Sequence, residues 1–395
     1  MSTLKVDAIR HNSATSDAIT TAADGTCTAK LTSLGGGQLS HRNKIINGGI
    51  KIFQRGTSEV RSGGNDGYYN GIADRWAIRM HSSVAQTTFS KDTSSNPGGF
   101  GSNQKLVRAN AGSSNAGKYF VYDTKLEGQD LQDFAKGTSG AKEFTLSFYV
   151  KTGVSGVYTC ELRDLDNTRT VVKQYTVSNG NWNRYTLTFP ADTTGAFGND
   201  NGASLWVRFW LAAGTNFTSG TSQTTWASSV DANICPGQTA QVGDNVADTW
   251  QITGVQLEVG DTATSFEHRS IGEELTRCYR YYRRFGANGA LPTPAPYKRF
   301  SIGYAPSNTS IRFPFQLDPP MRINPVNSNF SKSGGFSIQP GSIGSYTLNC
   351  DDNSCSVDML VALMGNTSVT SGTGSAVSLH ANNDTSAYIE ISAEL

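Results

Sequence analysis

The sequence predicts an all-β protein: a central jelly-roll β-sandwich, one short helix and linker, a smaller C-terminal β-sandwich, and an extended N-terminal segment. Three observations predict it. Apolar residues alternate with polar ones at a period of two in many short runs. Clusters of Gly, Asn, Asp and Ser separate the runs and favour turns. The composition is rich in turn formers and poor in charge, with 42 glycines in 395 residues and 16% charged residues. An ordinary soluble domain carries about 25%. Hydrophobic residues at 37%, with 10% aromatic, are enough for packed cores.

Residues 1–42 form the first segment. Leu4 to Ile9 reads as one short strand, and the remainder is Ser/Thr/Ala/Gly-rich up to Gly35-Gly36-Gly37. So little apolar content cannot bury a core of its own, so this piece is expected to order by docking on a partner or by oligomerising. Residues 43–270 carry the sandwich pattern. Phe144, Leu146, Phe148 and Val150 alternate with Thr145, Ser147 and Tyr149; Tyr185, Leu187 and Phe189 alternate with Arg184, Thr186 and Thr188; Trp76, Ile78 and Met80 alternate beside Arg75 and Arg79. Trp250 and Ile252 lead to Val255, Leu257 and Val259, and the phase slips at Gly254, where a bulge is expected. Short strands between turn clusters favour a β-sandwich or jelly roll.

Residues 271–296 hold a helix and a Pro-rich linker. Ser270 and Glu273 have capping-box spacing, and Leu275, Cys278, Tyr279 and Tyr282 fall on one stripe. The cluster Arg277–Arg284 is explained by a solvated, dipole-compensating helix face more simply than by an anion site. Gly286 to Pro296 reads as linker. Residues 297–395 resume β patterning at Phe300–Tyr304, Ile311–Phe315, Val357–Met364 and Tyr388–Ile391.

Several function classes are set aside. With 33 Lys+Arg against 32 Asp+Glu, the net charge of +1 leaves no footprint for nucleic-acid binding. No apolar run approaches the roughly 18 residues of a membrane span, so no membrane insertion is expected. The start lacks the basic-then-apolar layout of an export signal. The six cysteines and five histidines are scattered, so no metal site or cofactor is expected, and reduced thiols are. Only Cys350 and Cys355 are close enough in sequence for a local disulfide. Gly112 to Lys118 has phosphate-loop spacing, but Tyr119 stands where a magnesium-binding hydroxyl belongs, and a strand follows. Carboxylate pairs exist (Glu161 and Asp164, Asp123 and Glu127, Glu258 and Glu267), yet spacing alone does not make them face each other. No catalytic residues are assigned, and a non-enzyme is expected.

The informative side chains are aromatic. In the run Leu205 to Leu211, alternation sends Leu205, Val207, Phe209 and Leu211 to the core, and Trp206, Arg208 and Trp210 to the other face. An exposed face of this kind suits a sugar, because flat rings stack on its C–H face and a guanidinium bonds hydroxyls or a carboxylate. The alternative is a central strand covered on both sides. Tyr68 and Tyr69, in a Gly/Asn-rich stretch, are a second candidate pair. Trp182 and Trp226 lie beside turn formers, and Trp76 and Trp250 read as core.

An ordered set of motifs completes the reading. Asn43-Lys44-Ile45-Ile46-Asn47-Gly48-Gly49, Gln54-Arg55-Gly56 and Ala73-Asp74-Arg75-Trp76 open the sandwich. Gly254 to Gly260, Phe266-Glu267, Glu273-Glu274-Leu275 and Cys278-Tyr279-Arg280-Tyr281-Tyr282 close it. Phe313-Pro314, Met321-Arg322, Pro325 and the final Ser392-Ala393-Glu394-Leu395 follow. This set resembles bacteriophage tail-fibre and related virion proteins that carry a carbohydrate-binding-module-like jelly roll. The start, Ser2 to Ile9, resembles the virion-anchoring segment of fibres from tailed phages, especially those infecting cyanobacteria. The resemblance implies a virion protein assembled in the host cytoplasm, a homotrimeric short tail fibre. It would bind host surface polysaccharide and dock on the phage tail or other virion proteins through Leu4, Val6 and Ile9. The alternatives are a head fibre, decoration or tail connector protein that binds no glycan, and a polysaccharide depolymerase. The motif residues look structural, and the resemblance fixes no sugar-binding position.

Overall fold

In a computed structural model the chain is almost entirely antiparallel β structure. The described residues are 6–10, 12, 18–24, 27–29, 40–62, 67–81, 86–113, 115–178, 180–286, 299–307, 310–339, 347–365, 376–381, 384 and 386–395.

Two sheets face each other across the central core. The six-stranded sheet runs in the order Asn183–Phe189, Phe144–Thr152, Thr249–Val259, Asn103–Arg108, Thr87–Asp92 and Ser58–Arg61. The seven-stranded sheet runs Ala227–Ser228, Arg169–Val177, Gly156–Asp164, Ala203–Ala213, Tyr119–Glu127, Ala77–Met80 and Gly67–Asn70. Period-two alternation places Phe144, Leu146, Phe148 and Val150 from one sheet against Leu205, Val207, Phe209 and Leu211 from the other, all fully buried. The rings of Phe148 and Phe209 meet edge-on at 5.0 Å, and Trp76 stacks on Tyr122 at 4.9 Å. The bulge falls where the pattern slips: Ser147 pairs Gln256, but Tyr149 pairs Thr253. Gly254 sits there at φ +64°, and a Cβ would lie 2.6 Å from the Phe100 ring, so only glycine fits.

The C-terminal domain is a second, smaller sandwich. Its six-stranded sheet (Phe336–Gln339, Ala376–Ala381, Arg299–Ser307, Ser310–Gln316, Met359–Gly365, Thr347–Cys350) packs on a three-stranded one (Tyr282–Gly286, Tyr388–Ser392, Phe330–Ser333). Phe313, Leu360 and Leu379 from the first meet Ile389 and Ile391 from the second in one core. The sulfurs of Cys350 and Cys355 lie 3.0 Å apart as thiols.

The helix is Ile271–Tyr279, and the Ser270 side chain accepts the Glu273 amide at 3.2 Å, one half of the capping box, while the Glu273 carboxylate pairs Arg277. Two expectations change here. Tyr282 is not on the helix; it opens the strand Tyr282–Gly286, which belongs to the C-terminal domain. The arginine cluster is not a solvated face. Only Arg277 pairs along the helix, with Glu273 at 3.2 Å. Arg280 bonds Glu127 bidentately at 2.8 Å, Arg284 pairs Glu390 at 3.0 Å, and Arg283 donates to the Pro319 carbonyl. The linker residues 287–296 lie outside the described residues.

These contacts belong to a junction that joins the sandwiches. Glu394, next to the last residue, is clasped by Arg55 (3.1 Å) and Arg75 of the jelly roll. The Arg55 guanidinium lies 3.7 Å over the Tyr282 ring and that of Arg75 3.5 Å over Tyr281, an arrangement that shields both cations from water. The tyrosine hydroxyls donate to Glu390 and Glu127. Arg322 adds bonds to the carbonyls of Ala393 (2.7 Å) and Asn201 (3.2 Å). Asn47 holds the opening loop: its side-chain amide donates to the carbonyls of Ile52 and Asp74 at 3.0 Å, and its backbone amide donates to buried Glu274. The motif residues that open and close the sandwich therefore serve structure.

Near the N-terminus, Ala8–Ile9, Ile19–Thr21 and Cys27–Ala29 form a small three-stranded sheet; of the strand expected from Leu4 to Ile9, Ala8 and Ile9 are strand among the described residues. Val6 and Ile9 are exposed, and Leu4 lies outside the described residues.

Candidate functional site

The outer face of the seven-stranded sheet carries the Trp-Arg-Trp side chains, and its register sets what surrounds them. Arg208 pairs across strands with Asp123 on one side and Glu161 on the other. One pleat along, Trp206 lies between Lys125 and Arg163; in the other direction Trp210 lies between Val121 and Thr159. The face is thus a lattice of charges threaded by two indoles. The Trp206 ring has three cations against it: Arg208 at 4.4 Å, Arg79 at 4.5 Å and the Lys125 ammonium at 5.0 Å.

The exposed-platform expectation is corrected by what covers this lattice. Trp210 is 1% exposed, Arg208 5% and Trp206 7%. The chain after the strand folds back over the sheet. Phe217, Ile234 and Cys235 close on Trp210 with Val121 and Val172, forming a core of their own outside the sandwich. Phe217 meets the Trp210 ring at 5.0 Å, so the stacking surface a sugar needs is already occupied. Glu161 fixes the arrangement by accepting from Arg208 and from the Trp210 indole, each at 2.8 Å. The covering segment is Ser/Thr/Gly-rich; its apolar residues Phe217, Ile234 and Cys235 are the signal that could have found it.

The face is not sealed. A cleft of about 200 Å³ enters it. Arg208 and Trp210 lie buried at its base, Arg79 and Arg163 come from flanking strands, and Tyr119, Phe217 and Asp231 stand at its mouth. Beside it Asp123 is fully buried, and neither of its oxygens has a hydrogen-bond partner. Burial, only partly offset by Arg208, the nearby Trp206 indole, Arg79 and Lys125, pushes its carboxyl up to about 6. The sign follows: the folded state takes up the proton more readily than the unfolded chain, so stability falls as pH rises from about 4 to about 6. A shift from 3.8 to about 6 corresponds to about 3 kcal/mol. Asp123→Asn is therefore expected to raise the melting temperature at pH 7.5 and to leave it nearly unchanged at pH 4; equal shifts at both would refute the ionised, buried carboxylate.

The remaining sequence candidates are placed as follows. The backbone of Tyr68 and Tyr69 lies in the edge strand Gly67–Asn70, and their side chains lie outside the described residues. Trp226 is 8% exposed, and the Trp182 indole donates to the Ser95 carbonyl at 3.2 Å. Lys118 of the phosphate-loop look-alike is ion-paired with Asp244 and enters a strand. Members of the carboxylate pairs have partners of their own: Asp164 bonds Lys136, Glu127 bonds Arg280, Glu258 accepts from Thr264 and Glu267 from the Asn43 amide. Among the described residues no group of three or more His, Cys, Asp and Glu is placed to hold a metal ion. No helix of the described chain is long and apolar enough to cross a membrane.

No protein family model matches this chain, and no curated protein does. Among solved structures it is similar to the enzymatically active domain of bacteriophage CBA120 tailspike protein 4, at 12% identity and a TM-score of 0.28 over 55% of this chain and 21% of that one. A carbohydrate-binding module of family 4 aligns at 9% identity and 0.27, over 54% of this chain and 97% of that one. The CBM22-1 xylan-binding domain from Paenibacillus barcinonensis aligns at 11% identity and 0.26, over 54% and 100%. The match thus spans about a fifth of the tailspike chain's length. At such identities and scores the likeness says nothing about what this chain binds or does.

Proposed function

We propose that the chain is a phage virion structural protein, a short tail fibre acting as a homotrimer, that attaches to a host surface glycan without cleaving it. The observation that supports this most directly is the convergence of the tail-fibre-like motifs. Arg55, Arg75, Tyr281, Tyr282, Arg322 and Glu394, scattered over these motifs, meet at one buried, ion-paired junction between two β-sandwiches. A junction of that kind makes a stiff two-domain body, which suits a part that bears load between particle and cell. The N-terminal sheet, with Val6 and Ile9 exposed, is the docking element of this reading. The cleft over Arg208 and Trp210 is its sugar site, with guanidinium donors and ring edges in one place. Trimerisation raises the effective affinity of shallow sites by orders of magnitude.

The test is binding of the full-length protein to glycan arrays and to purified host surface polysaccharide, with oligomeric state followed by light scattering. Binding by trimers, with no new reducing ends released, is the expected result. Trimers that bind no glycan would instead favour a head fibre, decoration or connector protein. Release of reducing ends would favour a depolymerase.

A further inference from the structure

Building on the glycan-binding reading above, we infer that the cleft over Arg208 and Trp210 takes the carboxylate of an acidic sugar residue, with Arg163 as its principal ligand. The lattice on this face holds four cations, Arg79, Lys125, Arg163 and Arg208, against two carboxylates, Asp123 and Glu161. Three of the cations have structural work. Arg208 pairs Glu161, Lys125 donates to the Leu395 carbonyl oxygen at 2.8 Å, and Arg79 lies on Trp206. Arg163 has no hydrogen-bond or ion-pair partner among the described residues, although it is half-buried in the cleft wall beside other guanidiniums. Concentrating like charge in a partly desolvated recess costs stability unless an anion arrives.

A second, independent observation points the same way. At the base of the cleft Arg208 is 5% exposed, and its Nε has no hydrogen-bond partner. A buried donor left unmet costs free energy, which an acceptor that reaches it would recover. A planar carboxylate meets both requirements, because guanidinium forks bond it in two places. The surroundings select a sugar acid over a bare anion. Tyr119 and Phe217, set edge to face at 6.2 Å, offer apolar surface to ring C–H groups, while exposed Asp231 at the mouth accepts hydroxyl protons and repels a second negative group. The volume, about 200 Å³, is below the roughly 300–1,000 Å³ of pockets that enclose drug-sized ligands. It therefore admits one acidic residue of a chain, with its neighbours left outside.

The experiment titrates the full-length protein by calorimetry with oligogalacturonate and oligoglucuronate. The same oligosaccharides with carboxyls reduced to alcohols, and sugar phosphates, serve as comparisons. Wild type is expected to bind a uronate form at least tenfold more tightly than its reduced counterpart. Arg163→Gln is expected to lose at least tenfold for the uronate with a melting temperature no lower than that of wild type, and Arg163→Lys to recover part of the binding. Equal binding of reduced and acidic forms, or indifference to Arg163→Gln, would overturn the acidic-sugar inference and leave glycan attachment standing. Preference for sugar phosphates would overturn it too. If none of these saccharides binds, and arrays and host polysaccharide also fail, the functional reading falls with it.

Discussion

Trp210→Ala is expected to destabilise the jelly roll by about 3–5 kcal/mol, the range for deleting a buried large aromatic side chain. The ring is 1% exposed, and Phe217, Ile234 and Cys235 pack on it from outside the sheet. The truncation opens a cavity there and removes the indole donor to Glu161, leaving that buried carboxylate with one strong partner fewer. Chemical denaturation followed by circular dichroism reads the effect, and Trp210→Phe is expected to recover part of it. Normal stability combined with lost glycan binding would show instead that the indole is an open sugar platform.

Glu394→Ala is expected to be comparably severe at the other end of the molecule. It leaves the Arg55 and Arg75 guanidiniums buried in the junction without their shared carboxylate, Arg55 with Asp74 at 3.9 Å and Arg75 with the Lys125 carbonyl at 2.7 Å. Removing one partner of a buried ion pair costs about 3–5 kcal/mol, because the other charge stays buried without compensation. Calorimetry is expected to show one unfolding transition for the wild type and two for the variant, as the C-terminal sandwich loses its latch. Burial alone would raise the Glu394 carboxyl, but Arg75 and Arg55 outweigh it and hold the group below the usual carboxylate range. Its contribution is thus fully present above about pH 4.3 and is lost as pH falls through the lowered value. Glu127 and Glu390 shift the same way, whereas in Asp74 burial prevails and the carboxyl is raised. The latch is expected to hold at neutral pH and open in acid. A transition that stays single in Glu394→Ala at pH 7 would show that apolar packing, and not the ion pairs, joins the domains.

How much of this could be read in advance depends on the range of the interaction. The strands at Phe144–Val150 and Leu205–Leu211 were legible because period-two alternation is local, and burial of one face follows from it directly. The bulge at Gly254 and the cap at Ser270 were legible for the same reason: each rests on residues a few positions apart. Arg280, Arg283 and Arg284 were misread as a solvated helix face because their partners, Glu127, the Pro319 carbonyl and Glu390, lie far away in sequence.

The sequence by itself thus determined the all-β class, the two-sandwich order with a capped helix between, and which side of the Leu205–Leu211 strand faces inward. Only the tertiary structure decided the fate of the other side. Alternation says that Trp206, Arg208 and Trp210 share a face, but whether water or protein covers that face depends on a segment more than twenty residues long folding back through Phe217, Ile234 and Cys235. The same holds for charge. Composition sums it to +1, whereas the fold buries carboxylates against arginines at the junction and leaves Arg163 without a partner in a cleft. The physical reason is that side-chain periodicity is set by the local backbone, while desolvation is set by whatever long-range contact removes the water.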